Sequence, residues 1–355
     1  MTQEKLSSKK IKCLVWDLDN TLWNGTLIED SHVEINPKVI SIIKKLDERG
    51  ILQSIASKND YTMAMEKIEE LGISEYFLYP QIHWNSKSES INKIAEELNI
   101  NIDTIAFIDD QQFELDEVKY NISEVTCLNA TEIDNILENQ KFIPRFITED
   151  SKKRRLMYKQ DKIRKEEERN FKGTEEEFLA GLQMKLAIGT VEEGDLQRAE
   201  ELTVRTNQLN STGYTYSYEE LDYLRKSDNH KLFIVDLRDK YGDYGKTGLA
   251  LIKCSETKWT IKLLLMSCRV MSRGIGTVLM TYIMKLAKEN SVTVEAEFVE
   301  NKVNRMMFIT YKFSGFKEVA KEDNKIILHN DLSFIQPFPQ YIDIKISEKD
   351  TEEVM

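Results

Sequence analysis

The stretch KCLVWDLDNTLWNG, residues 12–25, decides how the first part of this chain folds. Cys13 to Trp16 form a short apolar run of the kind that makes a buried β-strand. Asp17 and Asp19 follow it directly. Two carboxylates so close repel each other and are costly wherever they are desolvated, so the pair implies a cationic partner. Trp23 and Gly25 are left without a role by the strand alone.

Outward from that stretch, short apolar runs alternate with helical patterns, the signature of a parallel α/β sheet. Strands are expected at residues 12–16, 51–56, 77–80, 104–108 and 124–128. Helices are expected at 37–48, 61–71 and 88–98, where apolar positions recur every three or four residues. Open parallel sheets bind ligands at the carboxyl ends of their strands. Ser57, Lys58 and Asn59 follow the second strand, Lys87 opens a helix, and Asp109 and Asp110 end the fourth strand. One crevice should gather them all.

An oxygen-only acidic cluster suits magnesium, which takes one or two carboxylates together with water and phosphate oxygens. A carboxylate can attack phosphorus, and a second one can protonate the leaving group and then activate water. A lysine and a hydroxyl can hold the oxygens of the transferring group. Between Leu22 and Arg49 there is room for one helix but not for a large cap, so the crevice should be open.

Composition fits a chain of 355 residues with 41% hydrophobic and 31% charged residues, enough for two domains. Its net charge of −12 argues against general nucleic-acid binding. No apolar run approaches a membrane span, and the polar opening MTQEKLSSKK reads as no signal peptide. Cys13, Cys127, Cys254 and Cys268 are scattered without a CxxC pair, which suits a cytoplasmic location and neither zinc nor a disulfide framework.

The expected domains are residues 1–147, a charged helical linker at 148–180, a second α/β domain at 181–346 and an acidic tail at 347–355. The linker is read as a solvated helix. Within it, Lys152, Lys153, Arg154 and Arg155 form a candidate basic patch for docking an acidic partner. In the second domain strands are expected at 184–191, 231–237, 248–254, 260–267 and 292–298, with helices at 195–205, 275–289 and 303–311. Arg273 and Gly274 precede the apolar helix at 275 and Gly276 lies in its first turn, where a glycine-rich helix N-terminus offers backbone N–H groups to an anion.

The run Asp17-Leu18-Asp19-Asn20-Thr21, with Ser57, Lys87 and Asp109-Asp110, resembles the four motifs of the haloacid dehalogenase (HAD) superfamily. That resemblance implies a Rossmann-like parallel sheet with a minimal cap. It makes Asp17 the nucleophile, Asp19 the general acid/base and Lys87 a catalytic partner. Thr21, Ser57, Lys58 and Asn59 become substrate contacts, and Asp17, Asp19 through its carbonyl, Asp109 and, in support, Asp110 the magnesium site. The glycine loop is similar to the pyrophosphate loop of GNAT-type acyltransferases, although Met271 stands where that loop usually has Gln or Arg.

Together the two halves resemble the FkbH-like family, HAD subfamily IIIC. The residues that carry this are Asp17 to Trp23, Ser57 to Asp60, Trp84 to Lys87, Ile108 to Asp110 with Phe113-Glu114, and Thr148 to Asp150. In the second half they are Arg205 to Gln208, Tyr241 to Asp243, Ser267-Cys268-Arg269, and Asn304-Arg305 with Gly315-Phe316. The family's Trp-Gly-Gly after the first motif is Trp23-Asn24-Gly25 here, and Gln111-Gln112 replaces an Asn/Ser-Pro continuation.

The resemblance implies an enzyme that dephosphorylates 1,3-bisphosphoglycerate and loads the glyceryl group as a thioester on the phosphopantetheine arm of an acyl carrier protein. Cys268 is the candidate acyl-accepting thiol, with Arg269 and Arg273 near it in sequence. Asn207, Arg269, Asn304 and Arg305 are further substrate contacts, and Arg273, Gly274 and Gly276 the phosphopantetheine contacts. The alternative is a magnesium-dependent phosphatase of a small phosphometabolite with a separate acyl-CoA-dependent N-acyltransferase domain.

Overall fold

The computed structural model describes residues 10–30 and 32–347 and divides the chain into two compact units, Met1–Lys159 and Gln160–Met355. The expectation of a frayed acidic tail beyond Ser347 lies outside the described residues.

The first unit runs β1 (Cys13–Trp16), α1 (Pro37–Glu48), β2 (Leu52–Ser57), α2 (Tyr61–Glu70), β3 (Gln81–Ile82), α3 (Lys87–Leu98), β4 (Ile105–Asp109), α4 (Gln112–Asn121), β5 (Thr126–Asn129) and α5 (Glu149–Lys152). Its five strands are all parallel, in the order β3-β2-β1-β4-β5. The order reverses between β1 and β4, which is where such sheets open a crevice at their carboxyl ends.

Alternation along β1 fills both faces. Leu14 and Trp16 pack with Val39, Ile42, Ile43 and Leu46 of α1 and with Ala64 and Ile68 of α2. Cys13 and Val15 pack with Ile91, Ile94 and Leu98 of α3 and with Leu115 and Val118 of α4. Trp16 is fully buried, so its indole N–H needs an acceptor; it donates to Gln53 Oε1 at 3.1 Å, and Gln53 donates on to the Ile43 carbonyl.

The expected third strand is displaced. Phe77 makes an isolated bridge to Gln53, Tyr79 takes φ +52°, and the pairing strand is Gln81–Ile82. Pro80 has no N–H for a ladder, and a left-handed residue before it turns the chain.

The charged stretch forms α6 (Arg154–Asn170), but it is not solvated all round. Arg154, Met157, Asp161 and Arg164 are buried at three- and four-residue spacing, so the helix has an inner face built mainly of charges. Of the basic patch, Lys153 is exposed and the other three residues are engaged. Arg154 donates to the Gly50 carbonyl, Arg155 pairs with Asp47 and Glu75 at 3.0 Å each, and Lys152 pairs with Glu149.

The second unit continues with α7 (Glu175–Gly181), β6 (Met184–Thr190), α8 (Leu196–Arg205), α9 (Tyr218–Arg225), β7 (His230–Asp239), β8 (Gly242–Cys254) and β9 (Lys258–Met266). It ends with α10 (Ile275–Glu289), β10 (Thr293–Val299), α11 (Arg305–Phe313), β11 (Lys317–Glu322), β12 (Lys325–Asn330) and β13 (Ile342–Ser347). Eight strands form a mixed sheet in the order β11-β12-β10-β9-β8-β7-β6-β13, parallel at β9/β10 and β6/β13. Helix α10 packs on one face, and α8 and α9 on the other.

Strands β9 and β10 pair over Lys258–Ile261 and Thr293–Ala296 and then part. Leu209 to Ser211 fill the gap. The Ser211 N–H donates to Leu264 O, its carbonyl accepts from Val299 N–H, and Met266 N–H donates to Leu209 O, each at 2.9 Å.

Candidate active site

Asp17 extends β1, its N–H donating to the Ile108 carbonyl of β4 at 3.0 Å. Beyond it the chain winds into a tight turn in which the Leu18 carbonyl accepts from the N–H groups of Thr21, Leu22 and Trp23. Asn20 sits at φ +54° and Gly25 at φ +102°. A Cβ on Gly25 would meet the Asp30 carboxylate at 2.8 Å, and that carboxylate accepts from Thr26 N–H. The glycine is therefore required by a left-handed turn with a close neighbour.

That turn gives Trp23 its function. Its indole N–H donates to Asp19 Oδ1 at 2.8 Å, Leu27 N–H donates to the same oxygen at 3.1 Å, and Asn59 Nδ2 donates to Asp19 Oδ2 at 3.0 Å. Burial raises the Asp19 pKa, while the bonds from Trp23 and Leu27 pull it back. The carboxyl is held in one orientation and can keep a proton above the usual carboxylate range. Such a group can act as acid and then as base.

Lys87 is a cationic partner for Asp17, shared with Asp109 and not with Asp19. It opens α3, whose N-cap Ser86 accepts from Glu89 N–H. Its ammonium, on a residue 3% exposed, donates to Asp17 Oδ1, to Asp109 Oδ2 at 3.0 Å and to the Ala56 carbonyl at 2.9 Å. It lies 5.5 Å from the centroid of the Phe107 ring. Burial disfavours its charge, but Asp17 and Asp109 outweigh that and raise its pKa. Thr21 Oγ1 accepts from Asp110 N–H, Lys58 pairs with Glu114 at 2.6 Å, and Ser57 is buried at the end of β2.

Asp17, Asp109 and Asp110 each offer an oxygen within 4.8 Å of the others. Burial and the Asp17 charge push Asp109 up to about 6 and also raise Asp110. Asp110 Oδ1 is buried without a hydrogen-bond partner. An orphaned carboxylate oxygen among mutually repelling acids fits a hard divalent cation, so these three residues would hold magnesium. The Asp19 carboxylate is taken up by its three hydrogen bonds, which leaves the backbone carbonyl as the Asp19 atom expected to face the cation.

In the second unit the expected residues lie on several elements. Cys268 begins a short turn after β9 and is half-buried, as are Arg269 and Asn207. The Arg273 guanidinium turns to Glu168 at 2.9 Å and lies over the Phe178 ring, leaving two of its nitrogens buried and unpartnered. Gly274, at φ +77°, caps α10, and a Cβ there would meet Tyr341 Oη at 2.6 Å; one on Gly276 would meet Met266 at 2.5 Å. A left-handed conformation with a close neighbour accounts for Gly274, and tight packing for Gly276.

Asn304 is fully buried and donates to the carbonyls of Asn210 and Val299, which makes it a fastener of the loop; Arg305 beside it is exposed. Trp23, Phe107 and the Leu27 N–H join the site beyond the expected residues; of these only Trp23, four residues after Asp19 and unexplained by a strand, carries a signal in the sequence.

Residues 22–120 match the family model of haloacid dehalogenase-like hydrolases, beginning just after the two aspartates and taking in Ser57, Lys87, Asp109 and Asp110. The first unit thus carries a HAD-like hydrolase segment over those residues. No curated protein matches the chain.

Among solved structures, the N-terminal part of a Bacteroides fragilis protein, described as containing a phosphatase domain complexed with Mg, is 29% identical with a TM-score of 0.33. The match covers 40% of this chain and 42% of that one, so the chain spans less than half of that relative. The ribosomal-protein-S18-alanine N-acetyltransferase of Escherichia coli is 16% identical over 42% of this chain and 95% of its own, with a TM-score of 0.34. Ard1 of Thermoplasma volcanium is 17% identical over 41% and 96%, with a TM-score of 0.32. Among the described residues no helix is long and apolar enough to cross a membrane.

Proposed function

We propose that this enzyme removes the C3 phosphate of 1,3-bisphosphoglycerate at the aspartate site and passes the glyceryl group as a thioester to the phosphopantetheine arm of an acyl carrier protein. The observation that carries the first half is Lys87, bridging Asp17 and Asp109 while Asp19 is held separately by Trp23, Leu27 and Asn59. Two carboxylates in different surroundings take different roles.

Asp17 attacks phosphorus and forms an aspartyl phosphate, while Asp19 gives its proton to the departing C3 oxygen. Asp19 then takes a proton from water, whose oxygen attacks phosphorus and frees phosphate and Asp17. Lys87 holds Asp17 in line and offsets charge on the phosphoryl oxygens. Asp17, Asp109 and Asp110 would hold magnesium, which when bound would supply further charge neutralisation.

The C1 acyl phosphate is already activated, so a thiolate displaces it without nucleotide. Support for that half is the resemblance at Ser267-Cys268-Arg269, which makes Cys268 the candidate acceptor. Intact-protein mass after incubation with fresh 1,3-bisphosphoglycerate and magnesium tests both halves. Wild type should carry a glyceryl adduct that is absent from Cys268→Ser and still phosphorylated in Asp17→Asn. If wild type releases phosphate and no protein carries an adduct, the covalent cysteine is removed; transfer from carrier-free enzyme to added carrier then separates direct loading from plain hydrolysis.

A further inference from the structure

A cleft of about 550 Å³ lies on the sheet of the second unit, lined by Thr212, Gly213, Tyr214 and Tyr216 from the α8–α9 loop, Lys262 of β9, Glu297 and Val299 of β10, and Lys325 of β12. That volume suits a small metabolite. We propose that this cleft binds a small organic anion, a carboxylate or phosphate carried on a short carbon skeleton, as a site separate from the aspartate cluster.

The charges converge from three strands. Lys262 Nζ donates to Glu297 Oε1 at 2.5 Å, and Lys325 Nζ lies 3.3 Å from the same oxygen. Among the lining side chains two ammonium groups meet one carboxylate, a local positive excess, while Glu220 lies behind Tyr214. The side chains of Lys325, Lys262 and Glu297 are 45%, 32% and 17% exposed, so the carboxylate is the most covered of the three and an entering ligand meets the ammonium groups first. An amine would have to pass two positive charges to reach Glu297.

Lys262 owes its aim to a β-bulge. Ile261 pairs with Ile252 and Leu263 with Leu251, so Lys262 is the extra residue on β9. A bulge re-aims one side chain and commonly does so beside a functional site. Ion pairs this exposed add little stability, which leaves the convergence unexplained by folding.

The opposite wall is pre-formed. Asn210, fully buried, accepts from the N–H groups of Thr212 and Gly213, and the Thr203 hydroxyl accepts from Tyr216 N–H. Tyr214 and Tyr216 meet edge to face at 4.5 Å, and Tyr214 OH donates to Glu220. Their rings offer apolar contact to a carbon skeleton, while the lysines act as point charges toward the acid.

Titration calorimetry of the full chain in EDTA tests this, because without a divalent cation the aspartate cluster repels anions. The probes are 3-phosphoglycerate, glycerate and glycerol 3-phosphate, which separate the carboxylate from the phosphate as the recognised group. At least one probe should bind saturably to wild type. Its affinity should fall at least tenfold in Lys262→Gln/Lys325→Gln and rise several-fold in Glu297→Gln, where the competing carboxylate is gone. Because loss through misfolding cannot raise affinity, the gain in Glu297→Gln keeps the test decisive. No binding of any probe, or equal affinity in all three proteins, overturns the proposal.

Discussion

Asp17 and Asp19 stand two residues apart yet face different chemistry. Asp17 is pinned by the Lys87 ammonium at the end of β1, whereas Asp19 is held by two N–H donors and an amide in the turn beyond. Replacing Trp23 by Phe removes one donor to a carboxyl group and keeps the buried ring. A hydrogen bond to a charged group is worth about 1.5–3 kcal/mol, so turnover should fall by roughly ten- to hundredfold with the fold intact. Steady-state phosphate release beside a circular-dichroism melt measures both. Unchanged turnover would mean that Leu27 and Asn59 orient Asp19 without help. Lys87→Met should cost more, because it leaves Asp17 and Asp109 facing each other without a cation.

Elements are fixed by contacts that no local pattern announces. Arg164 of α6 is 1% exposed and Asp239, ending β7, is 0% exposed; they meet through two hydrogen bonds of 2.7 and 2.8 Å. Asp239 also accepts from Tyr241 N–H, Gly242 N–H and Tyr244 OH, and the guanidinium stacks 3.8 Å from the Tyr244 ring centroid. Asp239→Ala leaves that guanidinium buried and unpaired, a loss of about 3–5 kcal/mol that denaturant unfolding will show. At the start of α10, Gly274→Ala should cost about 1–2 kcal/mol for its left-handed conformation, with more from Tyr341. Tyr341→Phe in that background removes the hydroxyl that the new methyl meets and should restore part of the loss but not all. Full recovery would show that the backbone angle carries no cost.

At the scale of the molecule, a divalent cation should stabilise the protein by binding Asp17, Asp109 and Asp110. At ten times its dissociation constant, magnesium adds about 1.4 kcal/mol, a few degrees in a thermal melt. Asp109→Asn should abolish that shift and, in EDTA, leave the protein no less stable than wild type, since burial and Asp17 already oppose the Asp109 charge. A magnesium shift that survives in Asp109→Asn would place the cation elsewhere. The first sheet and its acidic edge were legible because parallel strands are apolar throughout and their polar ends fall in chain order, as Asp17, Ser57 and Asp109 do. Strand β11 was not: all six of its residues, KEVAKE, are exposed and carry little apolar pattern, and it exists as a strand by pairing with β12. Helix α6 read as solvated because its composition is charged; only folding supplied the partners that let Arg154 and Arg164 be buried. Periodicity and the spacing of the carboxylates thus determined the first sheet and where its chemistry lies, since both are properties of neighbours along the chain. The indole on Asp19, the bulge that aims Lys262 and the wedge of Ser211 between β9 and β10 were decided by tertiary structure, because each joins residues whose pairing depends on where the rest of the chain has packed.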